Sequence, residues 1–453
     1  MSETKKDIMW RVWLVYGFIC LFGAAIFYQV CKIKFAEGHY WKEKADSLML
    51  RAVTIDPLRG NIFSADGSLL ATSTPVYELR IDARAPFYKG DLFNEKIDSL
   101  STGLSKILGD RTPQQYRQLL RSARKSRDGY FLLKRQVSYK QYKAIQALPL
   151  FNCGRYKSGL IVIAGNKRDR IFNRLAERTL GYKNENVQGV GIEGAYDSVL
   201  AGISGKRIMQ RVAGGIYKPV TDDNQVEPMD GLDIVTTIDM NIQDVAENAL
   251  YQQLSMHNAP RGCVVLMEVK TGEIKAIANL TKGSDDNYYE TMNYAMGTAT
   301  EPGSTFKLAS AIAALEDGYI DPDDTIDVSG GVFNYAGISI KDAHGGMSKI
   351  TVQHAFEASS NVAFAKLITR YYSKNPEQFS IRLKQLHLNQ KTGIAIPGEP
   401  QPLIKEPARS DYWKTSLPFM AIGYEELLTP LQTLTLYNAV ANNGCLVKPM
   451  IVK

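Results

Sequence analysis

The sequence predicts a single N-terminal membrane-spanning helix followed by two mixed domains, the first α+β and the second α/β. Three observations carry this. The chain has 453 residues, too many for one ordinary domain. From Val12 to Cys31 no residue is charged. Near residue 235 the pattern changes to strand, helix and hairpin. The composition, 45% hydrophobic and 22% charged, is that of a globular protein able to bury a sizeable core.

The apolar run reads VWLVYGFICLFGAAIFYQVC, about 20 residues, enough to cross a bilayer as a helix. Lys5, Lys6 and Arg11 precede it, and Lys32 and Lys34 follow. A cleaved signal peptide wants a shorter apolar core and a small-residue cleavage site, which Tyr28-Gln29-Val30-Cys31-Lys32 is not. An uncleaved signal anchor is therefore expected. It leaves residues 1–11 in the cytoplasm, spans the membrane over 12–31 and exports the remainder.

Residues 32–50 read as helical and juxtamembrane. Arg59 to Ala71 reads as strand, Asp66-Gly67 turn, strand, a hairpin signal. Residues 92–148 hold helical stretches rich in Lys and Arg, and Gly189 to Tyr196 reads as turn. A first domain over 32–234 and a second over 235–453 follow. The second opens with a strand over Ile234–Asp239 and a helix over Asn241–Leu250, in which Ile242, Val245 and Leu250 are spaced for burial. Strands over Cys263–Val269 and Ile274–Leu280 come next, joined at Lys270-Thr271-Gly272-Glu273 as an antiparallel hairpin.

Composition removes several function classes. The net charge of +7 and basic runs such as Arg121-Ser122-Ala123-Arg124-Lys125 suit a solvated face. Without an interleaved aromatic pattern they do not indicate nucleic acid. Cys20 and Cys31 lie in the apolar run. Cys153, Cys263 and Cys445 are far apart and odd in number, so neither a zinc site nor a disulfide framework is expected. Cys263 opens an apolar strand and reads as core. The five histidines show no ligand spacing.

The sharpest chemical feature is Glu301-Pro302-Gly303-Ser304-Thr305-Phe306-Lys307. Pro-Gly breaks the chain and an apolar helix follows, which puts Ser304 in its first turn and Lys307 on the same face. A hydroxyl becomes a useful nucleophile when a neighbour takes its proton. A lysine does so once burial or positive potential lowers its pKa, and a helix N-terminus adds such potential. By itself S-x-x-K is weak: Ser is a common helix cap, and a Lys three residues on is usually solvated. A second element, Ser359-Ser360-Asn361, falls between helical patterns over Thr351–Ala358 and Val362–Tyr372. There a hydroxyl and an amide can project into a cleft. Ser359 is a candidate proton relay, and Asn361 a candidate to hold Lys307 and bond a substrate amide. The plain alternative is that this triplet caps the second helix, and both readings can hold together.

S-x-x-K with S-x-N is the signature of penicillin-recognising serine enzymes, completed by K-T-G. Over nearly its whole length the chain resembles class B penicillin-binding proteins. Arg59-Gly60-Asn61-Ile62 with Asp66-Gly67 and Leu70-Ala71 resembles the family's N-terminal signature. Gly191-Ile192-Glu193 with Tyr196-Asp197 and Leu200-Ala201-Gly202 resembles its second block. Thr236-Thr237-Ile238-Asp239 with Gln243, and Thr271-Gly272-Glu273 with Ala276, resemble the start of the transpeptidase domain. Thr429-Pro430-Leu431-Gln432 with Tyr437, Ala441-Asn442-Asn443-Gly444 and Pro449 resembles the segment before the third motif.

The resemblance implies an elongated α+β pedestal of the dimerisation type, then a transpeptidase domain with an antiparallel sheet between helices. It implies a D,D-transpeptidase that cross-links peptidoglycan stem peptides through an acyl-serine intermediate. In that reaction Ser304 is nucleophile, Lys307 base, Ser359 relay and Asn361 positioning group, with no metal or organic cofactor, and β-lactams acylate Ser304. Length disfavours an additional glycosyltransferase domain. The N-terminal hairpin is nearer to division (septal) enzymes than to elongation ones. A septal role implies partners in the membrane, among them a glycan polymerase of the shape, elongation, division and sporulation class. The rivals are an elongation enzyme, a D,D-carboxypeptidase or β-lactamase, and a non-catalytic β-lactam sensor or scaffold. Lys391-Thr392-Gly393 looks like the third motif but stands too soon after Asn361 and runs into Pro397-Gly398-Glu399, so it reads as a decoy. The catalytic K-T/S-G strand is then expected beyond Lys453, leaving the transpeptidase domain incomplete and this chain inactive or short of its natural end.

Overall fold

A computed structural model describes residues 3–453 apart from 42–43, 45–49, 89, 154, 173–174, 185–186, 213–215, 220–225 and 346–347. It divides into two compact units, one of residues 1–58 with 202–231, the other of 59–201 with 232–453. The stretch read as one pedestal, 32–234, is thus shared between them.

In the first unit the helix Glu3–Cys31 has no charged residue across its central turns. Within the 29 residues Ile8–Ala36 an 18-residue stretch has a mean hydropathy of 2.0 and is not buried by protein, so this is one helix long and apolar enough to cross a membrane. Past Cys31 the helix widens to a π-turn over Lys32–Ala36. Much of the juxtamembrane helix read over 32–50 lies outside the described residues, and Leu50 already begins a strand, Leu50–Ile55. That strand pairs antiparallel with Gly205–Val212, which pairs in turn with Ile216–Pro219.

The second unit starts on the expected hairpin. Ile62–Phe63 returns as Leu69–Ile81 around Asp66-Gly67, where Gly67 takes φ +84. The long strand also pairs antiparallel with Phe131–Val137 and Leu160–Arg170. Helices Leu92–Leu108, Pro113–Ser126 and Tyr139–Gln146 pack on this sheet through Phe93, Leu100, Tyr116, Leu120 and Ile145. Thr112 and Ser138 each close a capping box on their helix. The turn read over 189–196 is a strand end, Val187–Val190, and a helical turn, Gly191–Ala195. Charge holds it there: the buried Glu193 carboxylate accepts from Arg59 Nε at 2.7 Å and Arg168 Nε at 2.6 Å, and Arg59 also reaches Asp197. Removing one member of a buried ion pair leaves the others uncompensated. Glu193→Ala should therefore lower stability by about 3 kcal/mol, seen as an earlier thermal transition by circular dichroism.

Of the strand read over Ile234–Asp239, Ile234–Val235 pairs parallel to Ile62–Phe63 and Thr236 adds a single antiparallel bridge to Val452. The chain then bends into Thr237, whose hydroxyl bonds the Ile274 and Met450 carbonyls at 2.7 and 3.1 Å, and Asp239 caps the helix Met240–His257. Arg261–Met267 and Ile274–Lys282 form the predicted antiparallel hairpin, with Tyr288–Tyr289 added at its edge. Cys263 is half-buried against the core, as read.

Further along the chain the helices form a cluster of their own. Lys307–Glu316 packs through Ala309, Ala313 and Ala314 against Asn361–Tyr372 and Pro376–Gln385. Small residues at the contact let the helix axes approach closely. The Tyr372 hydroxyl reaches the Ala313 carbonyl at 3.0 Å, and Asp317 pairs with Arg382, fixing the far end of the helix that carries Lys307.

Candidate active site

Gly303–Phe306 is a 3₁₀ turn that runs directly into the helix Lys307–Glu316. Phe306 is buried as an anchor, whereas Ser304 is exposed at the surface of the turn. The lysine three residues on is not solvated: Lys307 is 1% exposed. A second loop supplies its partners. Its Nζ lies 3.1 Å from Ser304 Oγ, 3.0 Å from Ser359 Oγ, 2.6 Å from the Ser359 carbonyl oxygen and 2.7 Å from Asn361 Oδ1. All four candidate residues read from sequence therefore meet at one nitrogen.

The bond lengths separate into two kinds. The shorter pair goes to oxygens that can only accept, a carbonyl and an amide. The longer pair goes to hydroxyls, which can also donate. A neutral amine suits this arrangement: two N–H groups directed at Ser359 O and Asn361 Oδ1, and a lone pair facing the hydroxyls. Burial disfavours the charged form and brings the Lys307 pKa down from 10.5 to about 8, although the Asp342 carboxylate pulls the other way.

The alternative reading of the second motif, a helix cap, holds for its middle residue alone. Ser360 Oγ accepts from Ala363 N at 3.0 Å and donates to Asp342 Oδ2 at 2.9 Å. Ser359 and Asn361 are thereby left to face Lys307. Ser359 takes φ +52, a left-handed conformation costing a non-glycine residue about 1 kcal/mol; it directs both oxygens of Ser359 at the same amine. Asn361 is oriented by its Nδ2, which donates to the Lys341 carbonyl at 3.1 Å.

Sequence reasoning missed several supports. Asp342, at the end of the strand Ile338–Lys341, holds Ser360 and the Val362 N–H (2.9 Å) and so fixes the second motif. Gly303 N donates to Gly423 O at 2.9 Å, and the Tyr437 hydroxyl donates to Thr305 O at 2.9 Å, so two later segments brace the turn that carries Ser304. Their only advance signal was Tyr437 within a family-like segment. Lys391-Thr392-Gly393 lies outside any strand. Thr392 donates to Glu399 through N (2.8 Å) and Oγ1 (3.1 Å), and Gln432 donates to the same carboxylate. The triplet's hydrogen bonds thus serve a loop and not Lys307.

Residues 262–453 match the penicillin binding protein transpeptidase domain, and 54–236 match the penicillin-binding protein dimerisation domain. With this pairing of domains, the chain belongs to the class B penicillin-binding proteins. Penicillin-binding protein PbpB of Mycolicibacterium smegmatis is 30% identical over 278 residues, 58% of this chain and 41% of that one. Peptidoglycan D,D-transpeptidase FtsI of Escherichia coli K12 is 25% identical over 453 residues, 98% of this chain and 72% of that one. The chain spans 41% and 39% of the two mycobacterial PbpB relatives, well under half their length. Penicillin-binding protein 2X from Streptococcus thermophilus shares the fold, with a TM-score of 0.66 at 19% identity over 89% of this chain and 61% of that one.

Proposed function

We propose that this protein is a peptidoglycan D,D-transpeptidase of septal wall synthesis, with Ser304 as nucleophile and Lys307 as its base. The observation that carries the reading is the buried Lys307 amine held between two acceptor-only oxygens with its remaining face toward Ser304 and Ser359. Ser304 Oγ attacks the carbonyl carbon of the penultimate D-Ala, and its proton passes to Lys307. Ser359 relays that proton to the leaving nitrogen, the C–N bond breaks and terminal D-Ala departs. An amine of a neighbouring stem peptide then attacks the ester, forms the cross-link, gives up a proton through the same lysine and returns Ser304 to its hydroxyl form. Asn361 positions both the amine and the substrate amide. A β-lactam is opened by the same attack, but its leaving nitrogen stays tethered.

The septal assignment is supported by the name of the Escherichia coli relative, which aligns along nearly the whole chain. In this reading residues 1–11 are cytoplasmic, 12–31 span the inner membrane, 32–234 form the pedestal and 235–453 the transpeptidase domain outside. A glycan polymerase of the shape, elongation, division and sporulation class is the expected membrane partner.

Intact-mass analysis after exposure to a fluorescent penicillin tests the nucleophile. One adduct is expected on the wild-type protein and none on Ser304→Ala. An unlabelled wild type, or a labelled Ser304→Ala, overturns the assignment.

A further inference from the structure

The segment 423–428 is tied to the chain just ahead of Ser304 at three places. Gly303 N donates to Gly423 O at 2.9 Å, and Glu425 N donates to Glu301 Oε1 at 3.0 Å. Thr300 and Leu428 exchange two main-chain bonds of 2.9 and 3.0 Å. On the other edge Leu427 exchanges two bonds of 2.9 Å with Leu403. From the middle of this tied segment one acidic side chain enters the interior: Glu426, 0% exposed.

Both Glu426 carboxyl oxygens are buried without a hydrogen-bond partner. A carboxylate taken out of water with no donor is far costlier than the neutral acid, so such a group keeps its proton. Its neighbours act the same way. Burial first, then the charges of Glu425 and Glu301, push the Glu426 pKa well above 4.5. Lys405 pulls the other way, but its ammonium is paired with Glu425 at 2.8 Å. The Tyr412 hydroxyl, ahead of the helix Ser416–Met420, is likewise buried without a partner. Burial, then Glu425, Tyr335 on the strand Val332–Tyr335 and Glu426 itself, raise the Tyr412 pKa to about 12, so it adds no charge.

We propose that Glu426 is a positioning residue for Ser304: as a neutral acid it lets the segment 423–428 lie against the Ser304 turn, and its ionisation drives the segment off that turn. The anion would stand beside Glu425 and Glu301 with no donor of its own, and movement toward water is its relief. The bonds from Gly303 to Gly423 and from Glu425 to Glu301 break with that movement. Ser304, 3.1 Å from Lys307 Nζ, then loses its alignment. The effect on acylation rests on the reading of Ser304 as the acylated residue; the effect on the packing of the two segments does not.

The experiment compares the wild type with Glu426→Gln, which keeps the shape and removes the charge, as full chains in detergent. Glu426→Leu is a second uncharged variant should the first not fold. Thermal transition, hydrogen exchange of peptides covering 299–306 and 420–429, and the rate of labelling by a fluorescent penicillin are compared at equal pH, from about 5 to about 10. The unfolded carboxyl ionises near 4.5 and the folded one well above it, so the fold holds a proton that the unfolded chain gives up. Wild-type stability should therefore fall as pH rises from 4.5, and that of the uncharged variant should fall less. At the alkaline end wild-type labelling should drop at least ~10-fold below its plateau, with faster exchange in both peptides. The uncharged variant should keep its rate and its protection. Both proteins share the rise due to Lys307, so their difference isolates Glu426. An equal alkaline loss in both, or melting with the same pH dependence, overturns the proposal. If Ser304→Ala still labels, the acyl-serine reading fails, and exchange and melting alone decide the role of Glu426.

Discussion

Lys307→Ala should lower the rate of Ser304 acylation by about 10⁴-fold, the upper range for a positioned general base, with little change in the affinity for the unreacted β-lactam. The reason is the geometry of one nitrogen. Without it, no group among the described residues that hydrogen-bond at the site can take the Ser304 proton at neutral pH, because Ser359 and Asn361 are not bases in that range. Stopped-flow labelling with a fluorescent penicillin measures the rate. The wild-type rate should depend on pH. With the Lys307 pKa brought down to about 8 by burial, the neutral fraction at pH 7 is about one tenth, and the rate should rise about tenfold to a plateau above pH 8. The same shift has a stability consequence of fixed sign. Between about 8 and 10.5 the unfolded chain holds this proton and the folded one does not, so the penalty of burying the ammonium is present below about 8 and relieved as pH rises through that window. A flat rate profile from pH 6 to 9, or a Lys307→Ala rate within tenfold of wild type, rejects lysine as the base.

What was legible in the sequence, and what was not, follows from the range of the interactions. Ser304 and Lys307 are three residues apart on a helical turn, so their proximity is local and periodicity alone suggests it. That Lys307 is buried, and hence depressed in pKa, is a tertiary fact; spacing cannot distinguish it from a solvated lysine. Ser359 and Asn361 were found by their motif, but the division of labour inside it needed Asp342, which joins Ser360 from the end of another strand. With Ser360 capping the helix, its two neighbours are free for Lys307. The hairpin at Asp66-Gly67 was visible because a turn residue flanked by alternating strands is a short-range signal. The segment 189–196 was not: its glycines read as turn, while its helical conformation is held by Arg59, which precedes the strand Ile62–Phe63, and by Arg168 on the strand Leu160–Arg170. Likewise the strand read over Ile234–Asp239 ends at Val235, because Thr237 turns inward to carbonyls at Ile274 and Met450.

Gly423→Ala should destabilise the protein by about 4 kcal/mol and slow Ser304 acylation by at least ~10²-fold in the molecules that remain folded. Gly423 has φ +83, where an L side chain is already strained. More decisively, a Cβ built there lies 2.0 Å from the Gly303 carbonyl oxygen and 2.8 Å from its nitrogen. Neither neighbour is the tip of a flexible side chain; both are backbone of the turn that carries Ser304. The turn must therefore move, and with it the 2.9 Å bond from Gly303 N to Gly423 O. Ser304 stands 3.1 Å from Lys307 Nζ, so a displacement of about 1 Å takes the pair out of proton-transfer range. Lys307 itself stays in place, since its other contacts come from Ser359 and from Asn361 at the start of the helix Asn361–Tyr372. The expected signature is thus a lowered rate with the wild-type dependence on pH, unlike Lys307→Ala, which should remove that dependence. Thermal melts and stopped-flow labelling of the same sample separate the two effects. A Gly423→Ala protein that melts and reacts as wild type would show that the Ser304 turn does not rely on the 420–425 segment for its position.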